Sequence, residues 1–249
     1  MNWYKIITSY DGTDYYGWQI QKNLPTIALI MQNSFRSVFN SSIILRGASR
    51  TDAGVHAFGH VAFFSTALNC DVCSMQLAWN NALPDAIRIK EIVRVDSLVH
   101  PHAQVATKTY WYHIATEMPS PFFARYAWHV QKKIDFDRLK QALSLFVGTY
   151  DFKLFCSSDV LCSTIRTIEA IDFAYIKEQS VWRVTVRGKS FLRYMIRRII
   201  GAAVDVATNQ DLSLTYIQEM LEYKRQHKAL FCAPAKGLVL HSITYRDTQ

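Results

Sequence analysis

The sequence predicts an α+β fold of mixed or antiparallel sheets backed by helices, arranged as two related units. Three observations carry this. Strand and helix patterns interleave in both halves, most strands neighbour one another through short turns, and the pattern restarts near residue 105. The expected subdomains are therefore 1–105 and 106–249, a boundary set by the restart, since no linker composition marks it.

The elements follow in order. Residues 3–10 (WYKIITSY) combine β-branched and aromatic side chains, as a strand does. Asp11-Gly12-Thr13-Asp14 brings turn chemistry, and an aromatic loop, Tyr15-Tyr16-Gly17-Trp18, comes next. Pro25-Thr26 opens a helix in which Ile27, Ile30, Met31, Phe35, Val38 and Phe39 recur at helical spacing. A strand near 43–46 leads into Arg50-Thr51-Asp52-Ala53-Gly54-Val55-His56, and 60–65 resumes strand character. Residues 75–83 predict a short helix stopped before Pro84. Residues 87–95 predict a strand with Ile87, Ile89, Val93 and Val95 on one face. In the second half, 108–116 (KTYWYHIAT) reads as a strand and 137–147 as a helix carrying Leu139, Leu143, Phe146 and Val147. Strands near 165–176 and 181–187 precede a long helix from about 190 to 207, a helix near 214–223 and a last strand at 238–245.

Half the residues are hydrophobic and only 19% are charged, which excludes wholesale disorder. No apolar run is long enough to span a bilayer, and the N-terminus, Met1-Asn2-Trp3-Tyr4-Lys5, lacks a signal peptide's apolar stretch. A cytoplasmic protein is expected. Five scattered cysteines argue against a secreted disulfide scaffold. Cys70-Asp71-Val72-Cys73 has the spacing of half a zinc knuckle, but Cys156 and Cys162 are too far apart to complete it, so no metal is expected.

The net charge of +8 is unevenly spread. Residues 1–124 hold nine Lys/Arg against eight Asp/Glu, and residues 125–249 hold nineteen against twelve. The stretch 183–198 holds Arg183, Arg187, Lys189, Arg193, Arg197 and Arg198 without an acid. Such a field attracts a polyanion, although a solvated basic surface has the same composition.

The segment 50–56 sets an acid beside a base in a turn of small residues. Gly54 permits unusual backbone angles and close approach to a ligand. Arg50, two residues from Asp52, would hold that carboxylate ionised as a nucleophile or base. The same residues also describe an ordinary turn, and local chemistry leaves both readings open. Leu192, Met195, Ile196, Ile199, Ile200 and Ala203 form the buried stripe of the long helix, with Arg193 and Arg197 on one flank and Arg198 elsewhere. An arginine there either snorkels to solvent or serves a buried anion. Tyr110 and Tyr112 share a strand face, suited to core packing or to stacking on an extruded base.

Taken together and in order, these motifs resemble the tRNA pseudouridine synthase A (TruA) family over nearly the whole chain. Arg50-Thr51-Asp52-Ala53-Gly54-Val55-His56-Ala57 resembles the family's catalytic signature. Tyr10-Asp11-Gly12-Thr13, with Tyr16-Gly17-Trp18-Gln19 and Gln21, resembles its opening motif, and Ala106-Thr107-Lys108-Thr109-Tyr110-Trp111-Tyr112 the motif of its base-contacting tyrosine. Gly148-Thr149-Tyr150-Asp151-Phe152, Phe191-Leu192-Arg193-Tyr194-Met195-Ile196-Arg197 and Ala235-Lys236-Gly237-Leu238-Val239-Leu240 complete the series. The chain departs from the family at Tyr150 (usually His or Asn), Gln104 (usually Arg) and Thr26-Ile27-Ala28.

The resemblance implies isomerisation of uridine to pseudouridine at positions 38, 39 and 40 of the tRNA anticodon stem-loop. It implies two α/β subdomains with the active cleft between them, a homodimer, and neither cofactor nor metal, because the reaction adds and removes nothing. The target base would be flipped out of its stack. Asp52 would be the reactive carboxylate, either attacking ribose or uracil or abstracting a ribose proton. Arg197 would pair with it. Arg50 would help extrude the nucleotide, and Tyr110 would stack on the uracil and take part in removing the C5 proton. Leu240 would pack beneath the base. His56, His60 and His102 would be structural or RNA-facing. The competing expectation is a non-catalytic RNA-binding module, which accounts for the basic half and the aromatics but not for the Asp52 constellation. A metal-dependent hydrolase would need a carboxylate cluster.

Overall fold

The computed structural model describes residues 1–96, 100–157, 163–222 and 230–246. The chain is α+β and divides into two compact units, Met1–Ala106 with Val239–Gln249, and Thr107–Leu238.

In the first unit, β1 (Asn2–Tyr10), β3 (His56–Thr66), β4 (Ile87–Val95) and β11 (Leu238–Tyr245) lie in the order β4-β1-β3-β11. The β1 pairings are antiparallel, while β11 runs parallel to β3, with Val239 opposite His56 and Leu240 opposite Ala57. Helices α1 (Ile27–Phe39) and α2 (Val72–Ala82) cover the face of Tyr4, Ile6 and Phe64. That core is aromatic: Tyr4 stacks on Phe64 at 5.1 Å, and Phe35 meets Trp79 edge-on at 4.8 Å. The buried Trp79 indole donates to Met31 O at 3.1 Å, so its polar atom is satisfied. Asp71 caps α2, its Oδ2 accepting from Ser74 N at 2.8 Å, so the Cys70–Cys73 motif is a helix start.

Two expectations for this unit are corrected. The strand near 43–46 shrinks to β2 (Arg46–Gly47), because Leu45 N–H bonds to Gln32 Oε1 of α1 at 2.8 Å instead of entering the ladder. In β4 the expected alternation fails midway: Ile87, Ile89 and Ile92 are buried, whereas Val93 is exposed. A register shift against β1 inserts an extra residue there and flips the remaining side chains to the other face.

In the second unit, β5 (Val105–Ala115), β9 (Ala170–Ile176) and β10 (Val181–Gly188) run antiparallel in the order β5-β10-β9. A short β6 (Trp128–His129) adds to β5, and β7 (Gly148–Asp151) pairs with β8 (Ile165–Ile168); neither β6 nor β7 is expected from patterning. Helix α3 (Phe136–Ser144) packs on α4 (Met195–Thr208), whose residues are buried on nearly every side. Helix α5 (Thr215–Leu221) follows, and residue 223 of its expected span lies outside the described residues, as does Cys162.

Helix α4 starts at Met195 rather than near residue 190. Tyr194 holds a left-handed φ of 64° at its N-cap, which ends the helix on that side. Arg193 and Arg197 therefore do not share one helical flank. No described helix is long and apolar enough to cross a membrane. Among the described residues, no three His, Cys, Asp or Glu side chains converge as a metal site.

Trp79→Ala, which empties the largest fully buried side chain of the first unit, is expected to cost about 3–5 kcal/mol in urea-induced unfolding.

Candidate active site

The Asp52 loop is held by the loop that follows β1. Trp18 N–H donates to Thr51 O at 3.2 Å, and Gly54 N–H to Tyr15 O at 3.1 Å. The Thr51 hydroxyl meets the Tyr10 hydroxyl at 2.8 Å. Within the loop, Val55 N–H closes a turn onto Asp52 O at 3.2 Å, and Gly54 sits at φ 76°. Two glycines on the facing loop make this contact possible. A Cβ on Gly12 would lie 2.0 Å from Val55 O, and one on Gly17, itself at φ 83°, 2.3 Å from Thr51 O. Neither site has room for a side chain.

Histidines brace this arrangement. His60 is fully buried, stacks on Trp18 with centroids 3.8 Å apart, and engages Ser49 O at 2.8 Å. His56 Nδ1 accepts from Gly12 N–H at 3.0 Å and lies 3.1 Å from Asp11 Oδ1. The first contact needs a lone pair on Nδ1 and the second a proton, so one nitrogen can satisfy only one of them at a time. Within this frame Asp52 is half-buried, while Arg50 and Ala53 are exposed. Arg50 precedes the Asp52–Val55 turn by two residues. The buried Leu240 lies beside the loop's exit, opposite Ala57. His102 is exposed, and Gln104 O accepts from Arg246 N–H at 2.9 Å.

In the second unit, Lys108, Tyr110 and Tyr112 share the buried face of β5. Tyr110 sits opposite Val186 and meets Phe191 edge-on at 5.3 Å. Tyr112 is structural: its hydroxyl donates to Pro234 O at 2.9 Å, its ring fills the space a Gly237 side chain would need, and burial pushes its hydroxyl well above the usual range. Lys108 is a cation that patterning alone overlooks, although its spacing from Tyr110 and Tyr112 puts it on their face. Burial lowers its ammonium to about 8.

Arg197 is anchored at its base. Its Nε donates to Ala233 O at 2.7 Å, and the guanidinium lies 5.3 Å from the Tyr194 ring centroid. Arg193 covers the same ring at 4.8 Å and donates to the Tyr194 hydroxyl at 3.0 Å. Arg198 turns away to the carbonyls of Leu154 and Cys156. Tyr150, on β7, is half-exposed and packs its ring against Gly148, which holds φ 131°.

Asp52 is thus a half-buried carboxylate at a turn packed against a glycine-lined loop, in an α+β chain. The sequence model of the tRNA pseudouridine synthase family matches residues 6–102 and 142–246. The tRNA pseudouridine synthase A of Thermodesulfovibrio yellowstonii is 34% identical, over 97% of this chain and 98% of its own. That of Acetivibrio thermocellus is 36% identical and that of Brevibacillus brevis 35%, each with the same two coverages. The chain belongs to the tRNA pseudouridine synthase family. It is an isomerase that acts on tRNA.

Two measurements check this geometry. Gly17→Ala is expected to displace the Asp52 loop and to lower turnover at least about a hundredfold, read as pseudouridine formed per enzyme with the far-ultraviolet dichroism retained. The second concerns Lys108. With its folded value near 8 and its unfolded value at 10.5, the unfolded chain binds the extra proton between those limits. Stability must therefore rise with pH across that window. Relative to Lys108→Met, the parent is expected to gain up to about 3 kcal/mol from pH 8 to 10.5 in denaturant titrations.

Proposed function

We propose that the substrate uridines are those at positions 38, 39 and 40 of the tRNA anticodon stem-loop, and that the enzyme works in the cytoplasm as a homodimer. The observation that carries this reading is the Asp52 loop itself. Its half-buried carboxylate stands on a turn locked by backbone contacts to the residues of the opening motif. The likeness to tRNA pseudouridine synthase A relatives over 97% of the chain supports the substrate class.

In this reading Asp52 is the reactive carboxylate, toward either the ribose or the uracil. Arg197 supplies the positive charge that keeps it ionised and aimed. Arg50, exposed just before the turn, contacts the displaced nucleotide. Tyr110 stacks on the uracil and assists when a proton leaves C5. Leu240 packs beneath the base. The glycosidic N1–C1′ bond breaks, the uracil rotates and a C5–C1′ bond forms. The proton lost from C5 is balanced by one gained at N1. Atoms and oxidation state are conserved, so the chemistry calls for no redox cofactor. The excess of Lys/Arg in residues 125–249 suits a folded polyanion whose phosphates must be held while one base is extruded.

In Asp52→Asn, pseudouridine at positions 38–40 is expected to vanish from tRNA while tRNA affinity stays within about threefold of the parent. Position-specific pseudouridine mapping and a filter-binding titration read the two quantities. Joint loss of both would sink the catalytic assignment.

A further inference from the structure

Two β-bulges flank β1 at the same level. Toward β3, Thr8 pairs with His60 and Tyr10 with Ala57, so Phe58 and Gly59 together oppose Ser9. Toward β4, Ile7 pairs with Glu91 and Thr8 with Ile89, leaving Lys90 as the extra residue. A bulge re-aims the side chain it carries, and bulges gather beside active sites.

Here the two re-aimed residues meet. Lys90 Nζ lies 5.3 Å from the Phe58 ring centroid and donates to Phe58 O at 3.2 Å. The His241 ring is inclined 29° to that of Phe58, with centroids 6.4 Å apart. Gly59 lets β11 come this close, since a Cβ there would stand 2.7 Å from His241 O. Phe58 nevertheless keeps 55% of its surface in water. A ring fixed by its neighbours yet left exposed can meet a ligand with little further ordering.

Its position says what. Phe58 directly follows Ala57, the partner of Leu240, and His241 directly follows Leu240. The trio therefore continues from the exit of the Asp52 loop. Every nucleobase offers a π face to an aromatic ring, and neighbouring cations attract the phosphates on either side of it. Lysine beside the ring fits RNA better than a protein partner, because protein interfaces are depleted of lysine. We propose that Phe58, steadied by Lys90 and His241, is a stacking platform for an unpaired tRNA base neighbouring the uridine under reaction. The inference rests on Asp52 being the reactive carboxylate.

The test uses the full chain and a tRNA transcript. In Phe58→Ala the KM for tRNA is expected to rise about tenfold or more, the scale of one lost base–aromatic stack, and Phe58→Tyr is expected to restore it. Phe58→Trp, placed in an Asp52→Asn background, is expected to show tryptophan quenching by tRNA beyond that of Asp52→Asn alone. A KM within about twofold of the parent in Phe58→Ala overturns the platform. Absence of added quenching at saturating tRNA does so as well, and it decides the question should the alanine variant fold poorly. An inactive Asp52→Asn together with an unchanged KM in Phe58→Ala removes this proposal alone and leaves the catalytic reading standing.

Discussion

The first unit's site depends on a contact between two backbones with no side chain between them. Fixing a loop residue costs about 1–2 kcal/mol of backbone entropy, and a carboxylate on a free loop would sample many directions. The loop after β1 removes that freedom. It accepts or donates hydrogen bonds at Tyr15, Trp18 and Gly12, and it approaches the 51–55 segment closely because Gly12 and Gly17 have no Cβ. The same loop leads into α1, with Ile27 N–H bonded to Gly17 O and Ala28 N–H to Trp18 O. The carboxylate's position is thereby referred to the packed core beneath α1.

The second unit solves a related problem with different means. Arg197 has a long side chain and would lose much entropy if positioned from its tip alone. Its Nε is tied to Ala233 O, Ala233 N–H is tied back to Arg197 O, and the guanidinium faces Tyr194. The arginine is thus held at its base by its own segment. Tyr194 takes a left-handed backbone here, a conformation disfavoured for a bulky residue. The buried Lys108 adds a second cost on this unit, since its charge is desolvated.

Regular elements were legible in the sequence because burial imposes a period. The α1 face of Ile27, Met31 and Phe35 and the β1 face of Tyr4, Ile6 and Tyr10 follow directly from it. What escaped was whatever breaks the period. Alternation carries the β4 stripe through Val93 because it cannot reveal an inserted residue. The apolar pattern of α4 runs back through Phe191 and Leu192, so periodicity places its start too early, and only a left-handed Tyr194 stops it. For the site, motifs named Asp52, Arg50, Tyr110, Arg197 and Leu240. They could not say that Gly12 and Gly17 matter for the room they leave rather than for the turns they make. That distinction is a distance between segments far apart in sequence, and no local pattern contains it.

These irregularities concentrate at one end of one strand. At the level of Ile7 to Tyr10, β1 has a bulged partner on each side, and just beyond Tyr10 the chain enters the loop that fixes Asp52. A regular ladder would send alternate residues into the core and into water, and could not set Phe58 and Lys90 against each other across β1. The bulges release two residues from that alternation, while Thr8, Tyr10 and His60 stay buried on the core side. Regularity at the Asn2–Ile6 end secures the unit, and its interruption at the Tyr10 end sets Phe58 and Lys90 together at the surface.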